Sequence, residues 1–199
     1  MKTLRERKLE TAIWYFAKEH LRRTGKKLTQ TMLFKYLAFL DFWSVKQIGR
    51  PAIGLGYDAF PYGPVPRKLY RDFQKIIRYK DYELFRVIKE DAPSGGKRIF
   101  IVPIEGKEGN LKFFSKFELN LIEKLLEIFG DGSLTARHFS EASHQELLAW
   151  KKAWEKAKKL NRKRYPMRFE DELENLENNE EKKLLKERLE TYELLMEEL

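Results

Sequence analysis

Apolar residues recur at spacings of three and four through Leu9, Ile13, Phe16, Ala17 and Leu21. That spacing gathers them on one face of an α-helix, and Gly25 is where the helix should stop. The next apolar run has a different character. After Thr29, a residue suited to an N-cap, the stretch MLFKYLAFLDFWSV carries only Lys35 and Asp41 as charges. It therefore reads as a helix covered on several sides, the central rod of the fold, and its aromatics belong to a core rather than to a cofactor box.

The pattern then breaks at YDAFPYGPVPRKLY, residues 57–70. Pro66 suits the first turn of a helix, because its fixed φ matches and its missing amide hydrogen would have no intrahelical partner. Val65, Leu69, Phe73, Ile76 and Ile77 give that helix an apolar face. Gly63, between an aromatic and a proline, predicts positive φ or a close approach by another segment. The stretch is thus a rigid corner that delivers Phe60 and Tyr62 to a fixed place beside a helix start. Further on, YELFRVIKE and KRIFIVPIE alternate as strands do, and DAPSGG between them supplies the turn of a β-hairpin.

Helices resume with a capping box, Ser115 with Glu118, ahead of Phe117, Leu121, Leu125 and Ile128, and Gly130 stands at the C′ position. Leu134 and Phe139 predict a hydrophobic staple around an N-cap at Thr135. Ser143 with Glu146 predicts the opening of another helix, apolar along Leu147, Trp150, Trp154 and Ala157 and rich in lysine opposite. Pro166 breaks the chain, and Asn178 with Glu181 restarts it in a helix whose seam is Leu185, Leu189, Tyr192, Met196 and Leu199. Two heptads are too short to stand alone, so this seam docks on the body, pairs with a second copy to form a homodimer, or awaits a partner. The expected fold class is α+β, predominantly α-helical: a compact helical domain around a buried central helix with a small β-hairpin over residues 1–165, then a C-terminal helical extension over 166–199.

Charge sharpens that division. Residues 1–165 hold 35 Lys or Arg against 19 Asp or Glu, a net of +16, whereas residues 166–199 hold 5 against 12, a net of −7. A basic body attracts nucleic acid, a membrane surface or an acidic protein, and its own acidic end is an available competitor. The absence of cysteine rules out a thiol nucleophile, a cysteine zinc site and disulfides, and it suits a reducing cytoplasm. The opening MKTLRERKLE is too charged for a leader's apolar region, and no apolar run reaches the roughly 20 residues of a membrane span.

The candidate chemistry is sparse. His20, His138 and His144 fall in no metal or nucleophile motif. GLGYDAF lacks the third glycine and the strand-to-helix context of a dinucleotide loop. His144, following a serine N-cap, reads as structural, and Asp41 and Asp58 are scattered carboxylates whose pairing in space a sequence does not show. These features argue for no enzyme, no catalytic residue, no cofactor and no metal. A second surface is the cationic strip from Lys151 to Tyr165, with Lys151, Lys152, Lys156, Lys159, Arg162 and Arg164 placed to neutralise phosphates. It comes without a helix-turn-helix, zinc-finger or RNA-binding signature, and lysine-rich helix faces are usually only solvated.

Three blocks in order, LTQTMLFKYLAFLDF, YDAFPYGPVPRKLY and SLTARHFSEASHQELLAW, resemble the Panacea domain family of SocA-like antitoxins. The matching positions are Leu33, Leu37, Ala59, Tyr62, Gly63, Pro64, Val65, Leu69, Tyr70, Ser143, His144 and Trp150, and the blocks span about residues 28–155. The resemblance implies a mainly helical domain with a small sheet, the antitoxin of a bacterial, archaeal or phage toxin–antitoxin pair. Such a protein binds and neutralises a cognate toxin encoded beside it, by masking it or by delivering it to a protease. The surface expected to meet the toxin is Phe60, Tyr62, Gly63, Pro64, Val65 and Tyr70, with His144 and Trp150. The alternative is a nucleic-acid-binding protein that uses the strip at 151–164. The long N-terminal helix and the acidic end depart from the family pattern.

Overall fold

The computed structural model describes residues 2–79, 82–92 and 95–197. Helix α1 (Leu4–Thr24) opens on a capping box in which the Thr3 hydroxyl accepts from the Glu6 amide and the Glu6 carboxylate accepts from the Thr3 amide. Two amides that a helix start would leave unpaired are thereby satisfied. The helix ends at Gly25 in the left-handed conformation. Strand β1 (Leu28–Thr29) runs straight into α2 (Gln30–Ile48), whose N-cap is Thr29, accepting from the Met32 amide. Thirteen of the nineteen residues of α2 are buried, Lys35 and Asp41 among them, which makes it the central rod that its all-round apolar sequence predicts.

Around that rod pack α1, α4 (Lys116–Phe129) and α5 (Ala136–Glu146). Their aromatics interlock: Phe16 stacks on Tyr36 at 4.6 Å, Tyr36 meets Phe139 edge to face at 5.3 Å, and Phe139 lies 4.5 Å from Phe129. Such pairs add about 0.5–1.5 kcal/mol each beyond the area they bury. The Ser115–Glu118 capping box forms as expected at the head of α4. Gly130 departs from expectation. Its φ is −83°, so it is no left-handed cap, and a Cβ there would run into the Leu126 carbonyl and approach Arg23 Cδ to 3.0 Å.

Two three-stranded antiparallel sheets complete the body. In the first, β4 (Phe85–Asp91) and β5 (Lys97–Pro103) form the expected hairpin, and β1 adds itself to β5 through Leu28 opposite Ile101 and Thr29 opposite Phe100. Pro93 and Ser94 of the predicted turn lie outside the described residues, as do the side chains of Ile76 and Ile77. In the second sheet, β2 (Tyr57–Phe60) lies between β3 (Gly63–Pro66) and β6 (Tyr165–Pro166). The proline-rich corner is therefore a strand pair. Pro64 and Pro66 are tolerated because β3 is an edge, where a missing amide leaves no ladder bond broken. Helix α3 (Arg67–Tyr79) follows at once, a residue later than a start at Pro66.

The expected helix opening at Ser143 is not there. Ser143 sits within the last turn of α5, its hydroxyl donating to the Ser140 carbonyl at 2.7 Å, and the chain breaks at Leu147, whose backbone is extended before α6 (Leu148–Lys159). The true N-cap of α5 is Thr135, four positions before Phe139, with His138 accepting from the Thr135 amide at 3.0 Å.

Beyond β6 the acidic end folds back. The Met167 amide bonds the Tyr57 carbonyl, Phe169 packs 4.9 Å from Phe42, and a 3-10 turn covers Phe169–Leu173. Asn178 accepts from the amides of Glu180 and Glu181 to open α7 (Asn179–Glu197). Of the three fates open to its seam, docking on the body is the one seen: Leu185 and Leu189 are buried with Val45 and Leu173. Leu199 lies outside the described residues.

Candidate partner-binding site

The corner is built from below by α2 and from the side by α5 and α6. Phe60 and Gly63 face each other across the sheet register, leaving Pro61 and Tyr62 as the two loop residues. Neither takes positive φ; the left-handed excursion falls on Gly63, at +102°. A close approach occurs there as well. A Cβ on Gly63 would lie 2.5 Å from Ser143 Oγ and 2.9 Å from Lys35 Cε, so both reasons for a glycine hold at once.

Lys35 is 1% exposed, beneath this turn, with its ammonium 3.5 Å from the Pro64 carbonyl. It makes no ion pair among the described residues, and burial pushes its pKa down to about 7. His144 lies close enough that its own pKa is lowered, first by burial and then by the Lys35 charge. Its ring stacks on Trp150 with centroids 3.9 Å apart and planes 12° from parallel. Trp150 in turn donates its indole N–H to the Phe60 carbonyl at 3.0 Å. The hydroxyl proton of Ser143 is directed into its own helix and the side chain is fully buried. Lys35 and Ser143 here brace the hairpin instead of addressing solvent, and His144 joins them through its stack on Trp150.

What the brace presents is aromatic. Tyr62, at the tip, is 76% exposed and Tyr70, on α3, 37%. Phe60 and Val65 are half-buried beside them, with the Phe60 ring 6.4 Å from that of Tyr70. Gly63 and Pro64 are buried, His144 is half-buried and Trp150 is 7% exposed. The predicted set therefore divides. Tyr62, Tyr70, Phe60 and Val65 form a surface, and Gly63, Pro64, His144 and Trp150 hold it.

The approach to the hairpin is fixed by Asp41. Its carboxylate accepts from the amides of Ile53 (2.6 Å), Gly54 (3.0 Å) and Leu55 (3.0 Å) and from the Tyr57 hydroxyl (2.9 Å). Burial pushes its pKa up against these four donors, which pull it down. Asp58 is held separately by Arg67 at 3.0 Å and Arg164 at 3.6 Å. Arg164 also lies over the Phe60 ring, 5.9 Å from its centroid. One member of the predicted cationic strip thus belongs to the aromatic corner.

Most of the other strip residues are engaged within the chain. Lys152 pairs with Asp171 at 2.9 Å and with Glu174, Lys151 donates to the Gln145 carbonyl, and Lys156 lies over the Tyr165 ring. Lys159 and Arg162 are exposed. The acidic end therefore reaches the lysine-rich face of α6 through Asp171 and Glu174, just after β6. Among the described residues no cluster of His, Asp or Glu has the arrangement of a metal site, and no helix is long and apolar enough to cross a membrane.

Sequence reasoning singled out Lys35 as a lone charge on an apolar helix but had no means to place it under Gly63. Arg67 and Asp58 went unnoticed as parts of the corner, since nothing in their spacing signals an ion pair. Compared with known families, residues 33–151 match the model described as antitoxin SocA-like, Panacea domain. No curated protein and no solved structure matches the chain.

Proposed function

The chain belongs to the SocA-like antitoxin, Panacea domain family, and from that premise we propose that it binds and neutralises a cognate toxin encoded beside it, by masking or by delivery to a protease. The contact surface is the corner formed by Tyr62, Phe60, Val65 and Tyr70, with Arg164 at its edge. The observation that carries this reading is Tyr62, a large aromatic left 76% exposed on a turn that is locked from behind. Rigid aromatics lose little conformational entropy on contact, and tyrosine is among the residues enriched at binding hot spots. His144 and Trp150 serve the surface by positioning it.

The test is co-expression with the product of the neighbouring gene. The wild-type chain should rescue growth and co-purify with that product. Tyr62→Ala, which removes an exposed ring and leaves the brace intact, should lose both while retaining a wild-type melting curve. Lys151→Glu, Lys156→Glu and Lys159→Glu together should leave rescue intact. Rescue unaffected by Tyr62→Ala would overturn the assignment of the surface.

A further inference from the structure

A cavity of about 910 Å³ lies away from the aromatic corner, between β5 and the starts of α2 and α5. That volume is at the upper end of the range of small-ligand sites, roughly 300–1,000 Å³. Five cations line it, Lys26, Lys27, Lys97, Arg98 and Arg137, with Glu90 as the one acid among the lining residues. Two helices open onto it. Gln30, Thr31 and Met32 are the first turn of α2, and Thr135, Ala136 and Arg137 begin α5. The Met32 amide is taken up by Thr29 and the Thr135 amide by His138, but each helix start still carries the positive end of its dipole, so both helices add to the field of the side chains.

The competing anions hold these cations weakly. Lys27 pairs with Glu90, Lys97 with Asp91 and Arg137 with Glu141, all on the exposed surface, where such pairs contribute little and open readily. Lys26 donates only to the Gly132 carbonyl, and Arg98 has no ion pair among the described residues.

Charge alone would suit any polyanion; one further feature narrows the choice. The Phe100 ring lines the cavity, half-buried, and the Lys27 ammonium 5.8 Å over it is held only by its exposed pair with Glu90, so the ring becomes a platform for a flat heterocycle when Lys27 turns to a phosphate. An acidic peptide offers carboxylates but nothing for Phe100 to stack on. We infer that this groove binds a single-stranded segment of nucleic acid, its phosphates on the cations and helix starts and one base on Phe100. This site is distinct from both the aromatic corner and the cationic strip of α6.

Fluorescence anisotropy of a labelled single-stranded 12-nucleotide oligomer with the full chain tests it. The expected result is saturable binding at low salt that weakens as salt rises. The variant carrying Lys26→Glu, Arg98→Glu and Arg137→Glu should bind at least about tenfold more weakly, with a shallower salt dependence by about 0.7 per lost phosphate contact. Phe100→Ala should cost about tenfold, since a stacking platform is removed. Lys159→Glu with Arg162→Glu, on α6, should leave binding unchanged. Circular dichroism of each variant keeps a folding defect from being read as lost affinity. Absence of binding by the folded wild type overturns the inference, and so does loss through the α6 pair alone. Equal affinity for poly-glutamate, or for duplex with no response to Phe100→Ala, also overturns it.

Discussion

The rings of His144 and Trp150 lie nearly parallel, 3.9 Å apart, although they belong to different helices separated by the extended residue Leu147. The break between α5 and α6 is what allows the stack, because a continuous helix would set residues six apart on different faces. The stacked pair then grips the hairpin through the Trp150 indole.

Trp150→Phe should keep much of the packing and lose the bond to the Phe60 carbonyl. We expect a loss of about 1 kcal/mol in urea unfolding. Trp150→Ala should cost about 3–5 kcal/mol, because it also opens a cavity beneath the corner. If the alanine variant unfolds at the wild-type midpoint, the indole is no brace.

Gly63→Ala forces a Cβ into positive φ against Ser143 and Lys35. Conformational strain and overpacking together should cost about 3 kcal/mol. Lys35 is the flexible neighbour, so a double-mutant cycle with Lys35→Ala should recover about 1 kcal/mol of that loss. Strict additivity in the cycle would mean that the two positions do not meet.

Lys35 makes stability depend on pH in a predictable sense. Its folded pKa, about 7, is below the unfolded value of 10.5. Between those values the unfolded chain holds more protons, so stability rises with pH from about 7 toward 10, by at most about 1.4 kcal/mol per unit. Below pH 7 the penalty for the buried charge is present in full. Lys35→Met should flatten the slope and stabilise the protein at pH 6 by about 1–4 kcal/mol. Urea midpoints at pH 6, 7.5 and 9 check both statements.

Truncation after Tyr165 should leave a chain that folds poorly. It removes Pro166 from the sheet, the Met167 bond to Tyr57, Phe169 beside Phe42, and the Glu172 carboxylate that accepts from the Ala149 amide at 3.0 Å. Truncation after Glu177 removes only α7, exposing Val45 and deleting the burial of Leu185 and Leu189. That should cost about 3–5 kcal/mol while a cooperative transition remains. Thermal melts of the two truncations compare them directly, and the longer one is the fair test of whether α7 contributes to toxin rescue.

Much of this architecture was legible in the sequence wherever a period or a cap announced it. Helices α1, α2 and α4 follow from apolar spacing plus Thr29, Ser115 and Gly25. Strand β1 was missed because Leu28 and Thr29 are too few to alternate and Thr29 also caps a helix. The Ser143 to Glu146 spacing imitates a capping box, but Ser143 is spent on a bond inside α5. The corner's aromatics could be read one by one, whereas their brace joins residues 35, 63, 144 and 150, an arrangement that only long-range packing creates. The cavity draws on residues near 26–32, 97–100 and 134–137, and no local pattern connects them.

The crowding behind Gly63 leaves this corner few places to vary. Ser143 and Lys35 forbid a side chain at 63, Trp150 fixes the carbonyl of 60, and Asp58 is committed to two arginines. At this corner Pro61, Tyr62 and Tyr70 on α3 are the exposed positions open to change without disturbing the interior. On the proposed reading, a descendant protein switching allegiance to a different adversary would have to rewrite its recognition within that narrow alphabet, leaving the machinery beneath untouched.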